Sequence, residues 1–306
     1  MERPVSIATA SAILLSSAAL AQQSDPGTAP PPDLSGIWGR NWVTLEPPPF
    51  GLGPIVSKLR RPDGSPIFSA IGDYTNPLLR PQAAEIVKKN GENELSGVAN
   101  PNPHNQCWPE PTPFLLGIQF GMELIQRKDE VTLLYVSNNQ VRHVRMGVPH
   151  SANPTPTWQG ESVGHYEGDT LVIDTIGQKV GPLSMVDRYG TPFGTTLHVI
   201  ERYRLIDGVM ARDLQRKHET TYFGTGGSSP LTNEYGRGDI DPDTAKPGLQ
   251  VEITVDDPSV FTAPWSGLVT YRHVQGIWPE AVCAENTRGA GSAWVTLVPR
   301  AEKADF

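Results

Sequence analysis

The chain has 306 residues and a formal net charge of −8, from 33 acidic and 25 basic side chains. It contains no long run of Lys and Arg, so it lacks the positive surface that attracts phosphate backbones. Nucleic acid and anionic membrane surfaces are therefore poor candidate partners, while the length suffices for one large or two modest domains with a sizeable core.

The first 21 residues have the pattern of a secretory signal peptide. Arg3 precedes an apolar and small-residue run from Val5 to Leu20, which ends in the small-x-small sequence Ala19-Leu20-Ala21. A membrane anchor is the alternative, but the run is short, rich in Ser and Ala, and followed by a Pro-rich segment instead of a charged flank. We expect cleavage after Ala21, no membrane span in the mature chain, and a periplasmic or secreted location.

The next part of the chain is rich in Pro and Gly. Residues 22–33 are predicted to be a tether, and residues 34–106 an irregular segment that wraps around a core, with one helix at residues 81–89 and an early strand at residues 36–38.

After Cys107 the pattern becomes one of short strands. Runs rich in Val, Ile, Leu and Tyr are separated by charged, Gly-containing or Asn-containing turns. The predicted strands are residues 122–127, 130–136, 140–146, 162–167, 170–175, 197–206, 250–256, 266–273 and 293–299. Gly168 supplies the permissive backbone for a tight hairpin turn. Eight or more antiparallel strands with few helices indicate a mostly β domain over residues 107–306, closed as a barrel that removes its own edges.

Residues 208–248 interrupt this pattern with Gly, Ser, Asp and Pro. They are predicted to form a loop excursion from the barrel, either as plain surface or as a lid over the barrel mouth.

The two cysteines are Cys107 and Cys283. In an exported chain an even number of cysteines usually forms disulfides, so a single Cys107–Cys283 bridge is the economical prediction. A thiol nucleophile or a metal-binding pair is the alternative, although neither cysteine lies in a CxxC sequence.

Gly160-Glu161-Ser162-Val163-Gly164 matches the G-x-S-x-G sequence of serine hydrolases. That motif needs a helix after the serine, whereas the residues that follow Ser162 are β-forming and turn at Gly168. We therefore expect Ser162 to face the barrel wall instead of acting as a nucleophile.

The sequence GESVGHYEGDTLVIDT at residues 160–175 resembles the core G-x-S-x-G-x-W-E-G-D-T-L-V-V-D-T of a family of exported bacterial proteins of unassigned function. Tyr166 and Ile173 depart from that core. Residues 123–126, 197–202, 256–258, 262–265 and 283–286 are similar to further motifs of the family in the same order. The resemblance implies export and a lipocalin-like barrel, and brings no activity. The run before His150 and the excursion after Asp207 depart from the family, so a pocket built from them would take a different ligand.

Histidine, Asp and Glu side chains lie on or beside the predicted strands: His143, His150, His165, His198, Asp174 and Glu201. Strand alternation places His198 and Arg202 on one face of their strand and Glu201 on the other. A polar cluster inside a barrel binds a ligand or a metal or performs acid/base chemistry. No HExxH or similar spacing occurs, so no metal ligands and no cofactor are predicted. Ordinary ion pairs and hydrogen-bonded wall residues are the structural alternative.

These residues lead to two hypotheses and a structural alternative. The first is an exported barrel that accommodates a small apolar or aromatic molecule, with Trp158, His165, Arg202 and Trp265 as candidate ligand contacts. The second is an enzyme, a lyase, isomerase or hydrolase, that uses His150, His198, Asp174 and Glu201 as acid/base residues in the same cavity. A cell-envelope protein with a barrel filled by tryptophans is the structural alternative.

Overall fold

The computed structural model describes residues 30–40, 44–118, 120–224 and 239–275. Nine strands form a closed barrel. They are β1 (Gly36–Gly39), β2 (Met122–Gln126), β3 (Glu130–Tyr135), β4 (Gln140–Met146), β5 (Glu161–Glu167), β6 (Thr170–Ile176), β7 (His198–Ile206), β9 (Gly248–Asp256) and β10 (Trp265–Gln275). They neighbour one another in this order, and β10 pairs with β1 to close the ring. The short β8 (Asp239–Ile240) pairs with the end of β10. The predicted mostly β barrel is confirmed.

One pair of neighbours breaks the expected antiparallel pattern. β4 and β5 are parallel, with Val144 opposite Ser162 and Met146 opposite Gly164. Parallel neighbours need a connection that returns to the starting end of the first strand, and residues 147–160 provide it without a helix. The all-antiparallel prediction is therefore wrong at this pair, while the other neighbouring pairs of the barrel are antiparallel.

The barrel interior follows from strand alternation. On β7 the inward side chains Val199, Glu201 and Tyr203 are fully buried, while Arg202 and Arg204 lie outside. On β9 the apolar residues Val251, Ile253 and Val255 are fully buried and Glu252 is exposed. Both sets agree with the predicted period of two.

Three segments differ from their predicted boundaries. The early strand predicted at residues 36–38 is confirmed as β1. It lies in the segment predicted to be irregular wrapping but belongs to the barrel, because it pairs with both β2 and β10. The predicted helix at residues 81–89 is confirmed as α1 (Pro81–Leu95), which buries Ala83 and Val87.

The third difference is α2 (Gly208–Phe223), which occupies the first part of the predicted loop excursion. Asp207 caps this helix by accepting a hydrogen bond from the Met210 amide at 2.9 Å. Ala211 is fully buried against Gly248, and the Gln215 amide donates to the Thr270 carbonyl at 3.0 Å. The helix therefore lies on the outer wall of β9 and β10, and the loop prediction is wrong for these residues.

None of the described helices is long and apolar enough to cross a membrane. The predicted signal peptide, the last predicted strand at residues 293–299 and Cys283 fall outside the described residues. The Cys107–Cys283 bridge consequently stays a prediction.

Candidate functional site

The barrel interior contains a buried ion pair. Arg142 on β4 and Glu201 on β7 are both essentially inaccessible to solvent. Arg142 Nη1 donates to Glu201 Oε1 at 3.1 Å, and Nη2 donates to Oε2, so the contact is bidentate. Burial alone would lower the pKa of Arg142, but the Glu201 carboxylate raises it above its ordinary value.

The remaining polar atoms around this pair are also hydrogen-bonded. Ser162 Oγ accepts from Arg142 Nε at 2.9 Å, Thr175 Oγ1 accepts from Nη2 at 2.6 Å, and Tyr203 donates to Glu201 Oε1 at 2.8 Å. Burial raises the pKa of Tyr135 to about 12, and Tyr135 lies 3.4 Å from Arg142 Nη1. We call these six residues the interior cluster. Its mutual contacts are those of a structural network.

Ser162 of the G-x-S-x-G sequence belongs to that interior cluster. The strand that contains it is followed by the turn at Gly168, where φ is +62°, and by β6. Its hydroxyl lies 3.0 Å from Thr175 Oγ1. The context that a hydrolase nucleophile requires is absent here.

Large buried side chains surround this cluster in the interior. The inward residues form one continuous apolar core. The large, almost fully buried ones include Trp38, Met122, Leu124, Leu133, Leu171, Tyr203 and Tyr271. Bulky buried side chains from opposite walls thus line the barrel interior in which a ligand was expected.

Three of the four predicted catalytic residues meet on the outer wall. Asp174 Oδ1 lies 2.8 Å from His198 Nε2 and 2.9 Å from His150 Nε2. His150 Nδ1 lies 3.1 Å from Glu161 Oε1. We call these four residues the outer histidine cluster. Glu201, the fourth predicted catalytic residue, points to the opposite face of the sheet.

Glu161 anchors the connection between β4 and β5. Its carboxylate accepts hydrogen bonds from the Ser151 amide at 2.7 Å and the Ser151 hydroxyl at 2.6 Å. The Ser151 contacts, with the further one from His150, lower the pKa of Glu161 to about 2. An ionised Glu161 holds the loop that contains His150 and Ser151 against the wall. Within the described residues no group of three or more His, Cys, Asp or Glu is arranged to hold a metal ion.

The predicted ligand contacts do not converge on one site. Trp265 is buried inside the barrel, edge-to-face with Phe261 at 5.8 Å. His165 and Arg202 lie on the outer wall, where each contacts Glu167. Trp158 lines a separate surface pocket of about 390 Å³ and stacks edge-on against Trp108.

A cavity that the sequence did not indicate lies between α2, the segment of residues 44–66 and the outer wall of the barrel. It has a volume of about 610 Å³ and a mainly apolar lining. We call it the wall pocket. Its apolar side chains are Pro47, Pro49, Val56, Pro66, Met210, Leu214, Tyr222 and Leu268, and its polar ones are Glu46, Arg60, Arg204, Lys217, His218, Thr221 and Gln250.

Glu46 is placed in the wall pocket by backbone pairing. Its amide donates to the Leu268 carbonyl and its carbonyl accepts from the Leu268 amide, each at 2.8 Å, which adds this segment to β10. The residue is 9 % exposed. Burial raises its pKa to about 7, although Arg40 and Lys217 oppose the shift. A carboxyl with this pKa exchanges its proton near neutral pH.

His218 is the second titratable group that the wall pocket buries. It lies on α2 with Nε2 2.8 Å from Thr44 Oγ1. Burial lowers its pKa well below the ordinary value, and the charge of Arg40 adds to the effect. His218 is therefore neutral at physiological pH.

Sequence reasoning missed both Glu46 and His218. Asp207 was the one available signal, because an Asp before a run with apolar residues at Val209, Met210 and Leu214 is a helix start.

No protein-family model, curated protein or solved structure matches the chain.

Proposed function

We propose that the protein binds a small, mainly apolar molecule in the wall pocket. The observation that carries the proposal is the cavity of about 610 Å³ with an apolar lining and a few convergent polar groups. Pockets of about 300–1,000 Å³ with this character are the usual sites of small ligands. The polar side chains of the barrel interior hydrogen-bond one another, which favours this site over the one that the strand pattern indicated.

The neutral fluorescent probe N-phenyl-1-naphthylamine tests this proposal. Its emission rises in apolar surroundings, so titration into the intact protein is expected to give saturable binding. Met210→Trp, which puts a larger side chain into the wall pocket, is expected to weaken binding on the order of tenfold.

Val209→Trp is the matched control for that experiment. Val209 precedes Met210 on α2, is 42 % exposed against 53 % for Met210, and does not line the wall pocket. Equal binding by Met210→Trp, Val209→Trp and the wild-type protein would refute the wall pocket as the binding site.

A second candidate function is acid/base catalysis in the same pocket. It is favoured by Glu46, since a general base is most effective when its pKa lies near the working pH. Mass spectrometry of a co-purified ligand would show conversion on incubation. We expect Glu46→Gln to abolish conversion and Glu252→Gln, an exposed carboxyl on β9, to retain it.

We also propose export, with cleavage after Ala21, a Cys107–Cys283 disulfide and membership in the exported family that the sequence at residues 160–175 resembles. The signal-peptide pattern supports the first two predictions. N-terminal sequencing of the mature protein and thiol counting before and after reduction test them. Two free thiols in the unreduced exported protein would rule out the bridge.

A further inference from the structure

We infer that the ligand of the wall pocket carries an anionic group, such as a carboxylate or sulfonate, on its apolar body. This inference rests on the proposed function and names the class of ligand. Its basis is the distribution of charge in the pocket, which separates a buried acid from an exposed set of cations.

Three solvent-exposed cationic side chains line the pocket. Arg60 belongs to the segment of residues 44–66, Arg204 to β7 and Lys217 to α2, and all three are exposed. Among the described residues that line the pocket, Glu46 is the single acidic one. Cations from three separate elements thus line one pocket, where they attract and orient an anion.

The two arginines keep donor groups available. Arg204 Nη2 donates to Gln250 Oε1 at 2.7 Å, and Arg60 Nη1 contacts the Ser57 carbonyl. In the described part of the chain neither forms an ion pair with a carboxylate. A guanidinium has five donors, so these contacts leave several for a ligand.

The buried side of the pocket suits the apolar body of the same ligand. Val56, Leu214 and Leu268 are partly buried there. An amphipathic anion would place its apolar part against these side chains and its charged group beside Arg60 and Arg204. A purely apolar ligand would leave Arg60 and Arg204 without an anionic partner.

Glu46 makes this binding dependent on pH. The charged or titratable groups around it are Arg40, which follows β1, and the pocket residues Arg60, Arg204, Lys217, His218 and Tyr222. His218 stays neutral at neutral pH because burial lowers its pKa. When Glu46 loses its proton near pH 7, it repels an anion and competes for the cations, so affinity falls as the pH rises through this value.

Two probes with the same aromatic skeleton separate charge from apolar contact. 1-Anilinonaphthalene-8-sulfonate is anionic, and N-phenyl-1-naphthylamine is its neutral counterpart. At pH 6 we expect the anion to bind on the order of tenfold more tightly, and this preference to shrink at pH 8.5. Arg204→Met is expected to remove most of the preference.

Arg202→Met is the matched control. Arg202 lies two residues earlier on the same face of β7 and does not line the pocket. This variant is expected to keep the preference for the anion.

The outcomes distinguish the inference from the proposed function. If both probes bind equally, respond to Met210→Trp and ignore Arg204→Met, the pocket binds a neutral molecule and the inference is wrong. If neither probe responds to Met210→Trp, the proposed function fails, and the inference fails with it.

Discussion

The barrel interior and the wall pocket each bury a glutamate near an arginine, but the two carboxyl groups differ in their contacts. Glu201 is held by both terminal nitrogens of Arg142 and by Tyr203. Glu46 lacks such a bidentate contact in the described residues, borders a cavity, and has a pKa raised to about 7 by burial. A carboxylate enclosed by hydrogen bonds acts as part of the framework, whereas one whose burial outweighs its polar contacts keeps an exchangeable proton near neutral pH.

Removing one partner of the interior pair should have the largest effect. Glu201→Leu leaves Arg142 charged, buried and without its counter-ion, so we expect a loss of about 3–5 kcal/mol in the free energy of unfolding. Urea denaturation measures it. The double variant Arg142→Met with Glu201→Leu removes both charges and should lose less than the single variant. A loss below about 1 kcal/mol for the single variant would contradict the structural role of the pair.

The Glu46 proton should produce the next effect. Its pKa rises from 4.5 in the unfolded chain to about 7 in the fold, so the folded state binds the proton more tightly. The resulting stabilisation is complete below pH 4.5 and is lost as the pH rises through about 7, a change of about 3 kcal/mol.

Denaturation of wild-type protein and Glu46→Gln at pH 5 and pH 8 isolates this contribution. Glu46→Gln should lose about 2–3 kcal/mol less than the wild-type protein between the two pH values. Glu252→Gln, with an exposed carboxyl on the outer wall, should follow the wild-type protein. If the free energy of unfolding changed equally with pH in all three proteins, Glu46 would behave as an ordinary surface carboxyl.

A smaller loss is expected from Ser162→Ala. The substitution removes the acceptor of the Arg142 Nε hydrogen bond and leaves the Arg142–Glu201 contact in place. One buried hydrogen bond to a charged group corresponds to about 1.5–3 kcal/mol. If urea denaturation showed an unchanged free energy of unfolding, the hydrogen bond between Arg142 and Ser162 would not stabilise the fold.

The outer histidine cluster should give the smallest effect. Asp174→Asn weakens contacts with His150 and His198 that are partly exposed to solvent. Exposed ion pairs typically stabilise a fold by about 0–1 kcal/mol, so we expect a loss below about 1 kcal/mol. A loss comparable to that of Glu201→Leu would show that the outer cluster also holds the framework together.

The strands were predictable where inward and outward residues alternate along them. On β9, Val251, Ile253 and Val255 alternate with polar residues, and the hairpin of β5 and β6 turns at a glycine with φ of +62°. Both patterns involve only residues that are close in sequence, so they can be recognised in a single sequence. Pairing between distant strands is not local, so the parallel contact of β4 with β5 could not be predicted from the runs that form them.

The sites were predictable only in part, for a related reason. Strand alternation placed Glu201 on the opposite face of β7 from His198, as observed. Which face meets which neighbour depends on tertiary packing. Glu46 stands in a Pro-rich segment without periodicity, and its burial arises from pairing with Leu268 and from coverage by α2. No pattern of residues close in sequence predicts that a distant helix covers a side chain.

The pairing of β1 has a consequence for the order of folding. Trp38 lies opposite Met122 on β2 and opposite His273 on β10, so a four-residue strand near the start of the chain joins two strands far apart in sequence. Contacts with large sequence separation form slowly, because a long loop must close first. The ribosome synthesises β1 long before β10. Until these two strands pair, the sheet has open edges that can pair with other chains. The pairing of β1 with β10 is therefore the step that closes an aggregation-prone open sheet into a barrel.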